Sequence, residues 1–161
     1  MNSRIFVVLR AALWAAAFAL LWTYLARAVQ PFDARLGFTI PEWTWPLGVA
    51  LAVAGALVDL WCVGTFALRG RGTPAPFDPP REFVATGPYR YVRNPMYIGA
   101  FGVLLGAGLI VRSPSIVGLS FLFVLLLHLF ILLYEEPSLD RRFGESYLRY
   151  KSEVRRWLPR W

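Results

Sequence analysis

The order of apolar and polar positions along the chain predicts an all-α integral membrane protein. A helix needs roughly 20 mostly apolar residues to cross the hydrocarbon core of a bilayer. Four stretches approach that length, at about residues 6–28, 45–68, 95–111 and 115–134. Nothing amphipathic is left over to cover these helices in a soluble bundle. The pattern therefore favours a single membrane domain of four transmembrane helices over residues 1–161.

The segment that follows the fourth predicted span has a different pattern. The apolar run stops at Glu135 and Glu136, and a proline follows, which is tolerated in the first turn of a new helix. Apolar and aromatic residues then recur at helical spacing among charged ones. The pattern predicts a C-terminal amphipathic helix over residues 137–155, lying in the membrane interface or packed on the inner loop.

Charge sets the expected orientation of the chain. The protein has 17 Lys and Arg against 10 Asp and Glu, and 57% of its residues are hydrophobic. With both termini in the cytoplasm, 14 of the 17 basic residues fall inside and only Arg27, Arg35 and Arg112 fall outside, as the positive-inside rule requires. The near-complete use of arginine over lysine is typical of a GC-rich bacterial genome, so we expect a bacterial inner membrane.

The basic residues flank the spans and do not form one face of a soluble domain. They therefore indicate contact with anionic membrane lipids, and nucleic acid is not expected as a partner. The chain has one cysteine and no cluster of residues at metal-ligand spacing, so no metal is expected.

Two polar segments are expected to meet at one end of the bundle. The inner loop, residues 69–94, is longer than most connections and runs directly into the third span. The short turn between the third and fourth spans makes them antiparallel neighbours, which brings residues 89–97 close to Glu135 and Glu136. Aromatic and arginine side chains facing two carboxylates could hold a ligand that carries both a cation and an aromatic ring.

These two segments resemble a known family. Residues 87–99, GPYRYVRNPMYIG, are similar to the first signature of the isoprenylcysteine carboxyl methyltransferase and phospholipid N-methyltransferase group. Residues 135–150, from EEPSL to FGESYLRY, resemble its second signature. The resemblance covers about half of the chain, from Arg81 to Pro159. It implies an enzyme that transfers a methyl group from S-adenosylmethionine to a hydrophobic or lipid-like acceptor at the cytoplasmic membrane face.

The resemblance also implies particular site residues. By position, the cofactor contacts carry over to Val84, Tyr89, Asn94, Pro95, Met96, Tyr97 and Glu135. Glu136 carries over with Glu135 and is a catalytic candidate.

His128, the other catalytic candidate, and Asp59 are proposed on physical grounds alone, because ionisable residues inside a bilayer are costly and are usually functional. Either residue could instead be structural. Ile131 occupies the position where the isoprenylcysteine enzymes have a substrate-binding arginine, so the resemblance does not extend to that acceptor.

Two alternatives remain open from the sequence. One is a membrane reductase of the sterol-reductase type, whose C-terminal pattern is related and whose cofactor is NADPH. The other is a membrane protein without catalytic activity that retains the fold. The acceptor, the atom methylated and the oligomeric state are not determined by the sequence.

Overall fold

The fold is all-helical throughout the part of the chain that the structure describes. A computed structural model describes residues 3–66, 68 and 85–159. Residues 69–84 of the predicted loop, which include Val84, lie outside these described residues. Within them there is no β-strand, which agrees with the predicted all-α class. The helices are α1 (Ser3–Val29), α2 (Asp33–Leu36), α3 (Trp45–Thr65), α4 (Pro95–Ile110), α5 (Pro114–Phe130), α6 (Glu136–Phe143) and α7 (Glu145–Glu153).

Three helical stretches are long and apolar enough to cross a membrane. They are Ala12–Leu36, Glu42–Thr65 and Pro114–Phe143. The third predicted span corresponds to α4, which has 16 residues. At 1.5 Å per residue α4 is about 24 Å long, which is less than the roughly 30 Å of hydrocarbon core. The described residues thus support three spans, and the four-span topology stays a prediction.

Glycine residues bring α3 and α4 into close contact. Gly55 of α3 packs against the backbone of Gly99 and Val103 of α4. Two turns away, a Cβ atom built on Gly106 would lie 2.5 Å from the carbonyl oxygen of Gly48 and 2.7 Å from the amide nitrogen of Ala52. Small residues let helix backbones approach in this way inside membranes, where apolar burial alone does not drive association. The glycines of α4 therefore act in helix packing.

The predicted hairpin between α4 and α5 is confirmed. Residues 111–113 connect the two helices, and Ser113 caps α5 by accepting a hydrogen bond from the amide of Ile116 at 3.2 Å. Phe101 of α4 meets Phe121 of α5 with ring centroids 5.6 Å apart. α5 consequently packs on α4 along its length.

Helix α1 packs against α5 mainly through aromatic side chains. The indole ring of Trp22 meets the buried ring of Phe123 on α5 edge to face, with centroids 4.5 Å apart. Phe18 lies 5.9 Å from the same ring. Edge-to-face aromatic pairs at such distances add to the gain from burial. Most of the apolar surface of α1 is exposed, as expected for a helix that faces lipid.

A π-helical turn joins α5 to α6 and makes one continuous helical stretch. It spans Ile131–Glu135, and the amide of Glu136 donates to the carbonyl oxygen of Ile131, five residues earlier. Single π-helical turns are rare and often occur at functional sites. The wider turn also accommodates Pro137, which has no amide proton to give to a regular helix. The sequence pattern placed a helix start here, whereas the structure continues the helix.

The predicted helix over residues 137–155 forms two helices, α6 and α7. Gly144 separates them with a positive φ of 53°, a conformation that glycine adopts without strain. Leu139, Phe143, Tyr147 and Tyr150 all point toward a cavity at this end of the bundle. These four side chains therefore line one cavity together with Tyr89, Arg93 and Asn94 of the segment before α4.

We predict that Gly55→Ala destabilises the protein, since the added methyl group would overlap the backbone of α4. Overpacking of this kind costs about 1–3 kcal/mol. The thermal unfolding midpoint in detergent should fall by several degrees.

Gly64→Ala is the matched control, because it lies on the same helix and its Cβ would meet open space. Its midpoint should stay unchanged or rise. Equal midpoints for the two variants would show that the contact between α3 and α4 is looser than described.

Candidate functional site

A cavity lies beyond the N-terminal end of α4, where α3, the π-helical turn, α6 and α7 converge. Its volume, as bounded by the described residues, is about 70 Å³. The lining residues are aromatic, acidic, basic and amide side chains from distant parts of the chain. They are Phe66, Tyr89, Arg93, Asn94, Glu135, Glu136, Leu139, Phe143, Tyr147 and Tyr150.

Glu135 and Tyr97 form a hydrogen-bonded pair at the edge of this cavity. The phenol of Tyr97 donates to Oε2 of Glu135 at 2.8 Å. This contact joins α4 to the π-helical turn and confirms the predicted proximity of the two sequence segments. Among the described residues, no Lys or Arg is paired with Glu135. Its carboxylate therefore retains capacity for a positively charged ligand.

Tyr89 forms the wall of the cavity that faces α3. Its ring meets that of Phe66 edge to face, with centroids 5.2 Å apart. Its carbonyl oxygen accepts a hydrogen bond from the phenol of Tyr150 at 2.5 Å. Burial raises the pKa of Tyr89 well above its ordinary value and raises that of Tyr147 to about 12. Both phenols therefore stay protonated at physiological pH and can act as hydrogen-bond donors.

Glu136 has surroundings opposite to those of Glu135. Its side chain is buried, and three cations from three separate segments surround it. Nε and Nη2 of Arg156 donate to Oε1 and Oε2 at 2.9 and 3.0 Å. Nη1 of Arg93 lies 3.0 Å from Oε1, and Nζ of Lys151 lies 3.5 Å from Oε2. The hydrogen bonds to Glu136 raise the pKa of Arg156, so the pair is ionised over the whole physiological range.

The last described residues, 154–159, run across this end of the bundle, and we call them the strap. The carbonyl oxygen of Arg155 accepts a hydrogen bond from the amide of Arg93 at 2.9 Å. The carbonyl oxygen of Arg156 accepts one from the side-chain amide of Asn94 at 3.5 Å. The strap is therefore tied both to Glu136 and to the segment that enters α4.

His128 also contacts the strap and does not line the cavity formed by the described residues. The indole nitrogen of Trp157 donates to Nδ1 of His128 at 3.3 Å. A ring nitrogen that accepts a hydrogen bond carries no proton, so the proton of the neutral ring resides on Nε2.

The remaining candidates lie at several depths around the cavity. Asn94 lines it, Pro95 is buried as the first residue of α4, and Met96 is partly buried beside it. Asp59 lies deeper, with its Oδ1 against the backbone of Gly99. Val84 lies outside the described residues. No group of three or more His, Cys, Asp or Glu side chains in the described part of the chain is arranged to hold a metal ion.

Sequence reasoning missed two of the three cations that surround Glu136. Residues 89–97, which include Arg93, were expected near the two carboxylates, whereas Lys151 and Arg156 were assigned to membrane orientation alone. The signal that could have found them is the carboxylate itself, because a glutamate directly after an apolar span needs a partner if it is buried. The sequence likewise did not indicate that Trp157 contacts His128.

Comparison with known proteins agrees with this geometry. The sequence profile described as phospholipid methyltransferase matches residues 43–146, which include α3, α4, α5, α6 and most of the residues that line the cavity. The chain is 30% identical over 99 residues to the nickel-cobalt-cadmium resistance protein NccN of Alcaligenes xylosoxydans xylosoxydans, a match that covers 62% of the chain and 41% of that protein. It is 46% identical over 37 residues to an uncharacterized protein of Haemophilus influenzae, covering 23% of the chain and 59% of that protein.

The chain thus spans about half the length of the curated relatives it matches. The profile, by contrast, matches more than half of the chain and includes the first recognised motif and the start of the second. The apolar helices agree with the membrane setting that this resemblance implies. The chain belongs to the phospholipid methyltransferase family, and its membership indicates a membrane methyltransferase.

Proposed function

We propose that the protein transfers a methyl group from S-adenosylmethionine to a hydrophobic or lipid-like acceptor at the cytoplasmic face of the membrane. The observation that carries this proposal is the contrast between two adjacent carboxylates. Glu136 is compensated by three cations, whereas Glu135 bonds to the phenol of Tyr97 and, among the described residues, has no basic partner. The cavity therefore has one partly buried carboxylate, Glu135, in position for a cationic ligand.

The donor set of the cavity fits this cofactor. S-adenosylmethionine supplies a methyl group on a positively charged sulfur, together with an α-ammonium group and an adenine ring. Glu135 would offset the desolvation of the cation, and the aromatic rings of Tyr89 and Phe66 suit an adenine or a sulfonium.

The residues around the cavity would act mainly by alignment and by exclusion of water. Methyl transfer is a direct displacement, in which the acceptor atom must be held in line with the methyl group. Asn94 and Tyr97 lie at the start of α4, and Glu135 lies on the π-helical turn. Residues from these two elements would together fix the donor in one orientation. The apolar side chains of Phe66, Leu139 and Phe143 would keep water from the reacting atoms.

The distribution of basic residues supports the cytoplasmic face. The cavity lies at the end of the bundle where the described basic residues are concentrated. These are Arg90, Arg93, Arg141, Arg142, Arg149, Lys151, Arg155 and Arg156. Arg27, Arg35 and Arg112 belong to the opposite end. A lipid-like acceptor would reach the cavity laterally from the adjoining leaflet.

The binding prediction is that the purified protein binds S-adenosylhomocysteine and does not bind NADPH. Glu135→Gln should weaken binding of S-adenosylmethionine by at least about tenfold, because it removes the charge that compensates the sulfonium. Tyr97→Phe should weaken it several-fold, because the carboxylate loses its hydrogen bond. Titration calorimetry in detergent or nanodiscs measures these affinities.

Glu145→Gln is the matched control, since Glu145 is exposed at the start of α7. It should bind like the wild type. Binding of NADPH in place of S-adenosylhomocysteine would indicate the reductase alternative. Binding of neither ligand would indicate a protein that keeps the fold without the activity.

The proposed membrane face predicts the side from which single cysteines react. In a Cys62→Ser background, Ser146→Cys on α7 should react with a membrane-impermeant maleimide only after the cells are permeabilised. Ala34→Cys in α2 should react in intact cells, and both positions are exposed. Reaction of Ser146→Cys in intact cells would place the cavity on the outer face and contradict the proposal.

A further inference from the structure

We infer that Glu136 and His128 are positioning residues that hold a movable wall over the proposed donor site. The wall consists of α7 and the strap, residues 145–159. This inference rests on the proposed function, because it assigns a mechanical role to two residues of the same site. It replaces the direct catalytic roles that the sequence alone suggested for them.

The size of the cavity requires one wall to move. As bounded by the described residues it holds about 70 Å³, which is room for a few water molecules. Pockets that enclose drug-sized ligands measure about 300–1,000 Å³. A ligand as large as S-adenosylmethionine therefore cannot be enclosed until part of the lining is displaced.

The helical walls are poorly suited to move. α3 and α4 meet through backbone contacts at Gly55 and Gly106, and α5 packs on α4 through aromatic and aliphatic side chains. Close-packed contacts of this kind are lost over very small displacements. Displacing α4 would also disturb Asn94 and Tyr97, which are proposed to bind the donor.

The wall formed by α7 and the strap is held differently. Besides the buried rings of Tyr147 and Tyr150, which line the cavity, this wall is held by polar contacts. They are the ion pairs of Arg156 and Lys151 with Glu136, and the hydrogen bonds of Tyr150 with Tyr89, Arg155 with Arg93, Asn94 with Arg156 and Trp157 with His128. Gly144, with its positive φ, connects this wall to α6 and is suited to act as a hinge.

Glu136 and His128 bind the strap to the helical bundle, and we call these two contacts the latches. Glu136 belongs to α6 and binds Arg156 through two hydrogen bonds. His128 belongs to α5 and binds the neighbouring residue Trp157. Both lie on the continuous helical stretch Pro114–Phe143, so one rigid element latches successive strap residues. Release of the latches would open the cavity without unfolding the helices that define it.

The experiment measures donor-analogue release together with hydrogen exchange. In Glu136→Gln, the dissociation rate of S-adenosylhomocysteine should rise about tenfold or more, because the ion pairs that hold the wall are lost. In Trp157→Phe, it should rise about two- to tenfold, since one hydrogen bond is lost while most of the ring is kept. In both variants, amide exchange without ligand should accelerate in residues 145–159 and stay unchanged in α3, α4 and α5.

Two control variants match these changes. Glu153→Gln removes an exposed carboxylate from α7, and Trp43→Phe removes an indole nitrogen from the opposite end of the bundle. Both should release the ligand and exchange amides like the wild type. Trp157→Phe keeps the test decisive if Glu136→Gln fails to fold.

Two results would overturn the inference. One is a release rate within twofold of wild type in the latch variants that fold. The other is faster exchange spread evenly over all helices, which would show a general structural role. If the wild-type protein binds no donor analogue, the proposed function fails, and hydrogen exchange in the unliganded variants still decides whether Glu136 and His128 latch the wall.

Discussion

The site depends on the compensation of one buried carboxylate. A charge removed from water costs several kcal/mol unless partners replace the lost hydration. Glu136 therefore requires cations, and its three come from the segment before α4, from α7 and from the strap. These segments are far apart in sequence, so the requirement to neutralise Glu136 brings them together. The cavity is enclosed by the residues that this convergence brings into place.

The neighbouring carboxylate shows how a local change in helix geometry separates two roles. Adjacent residues of an α-helix already point in directions about 100° apart, since a turn contains 3.6 residues. The π-helical turn at Ile131–Glu135 adds a further change of register, with Glu135 directed to Tyr97 and Glu136 to the cations. Two carboxylates in such different surroundings are suited to different tasks. We assign ligand binding to Glu135 and structural closure to Glu136.

The sequence could predict the elements of this site better than the contacts among them. Hydropathy located α1, α3, α4 and α5, and the short turn after α4 was enough to bring Tyr97 near Glu135. The partners of Glu136 on α7 and the strap, Lys151 and Arg156, could not be predicted. These two segments fold back only because Gly144 breaks the predicted single helix. The environment of His128 was missed for a similar reason. Spacing of seven residues suggests one face with Glu135, but the π-helical turn changes that register, and the contact with Trp157 is long-range.

The two kinds of contact in this molecule divide the site into a rigid part and a part that can open. Glycine contacts between α3 and α4 depend on shape and tolerate little displacement. At the membrane surface, water can replace the partner in each polar contact of the strap, so these contacts can open at a modest cost in free energy. The proposed methyltransferase would have to admit a polar donor from the aqueous side while its reacting groups stay aligned with an acceptor in the bilayer. An arrangement in which α4 carries the alignment and a polar strap on the aqueous side carries the closure would meet both demands.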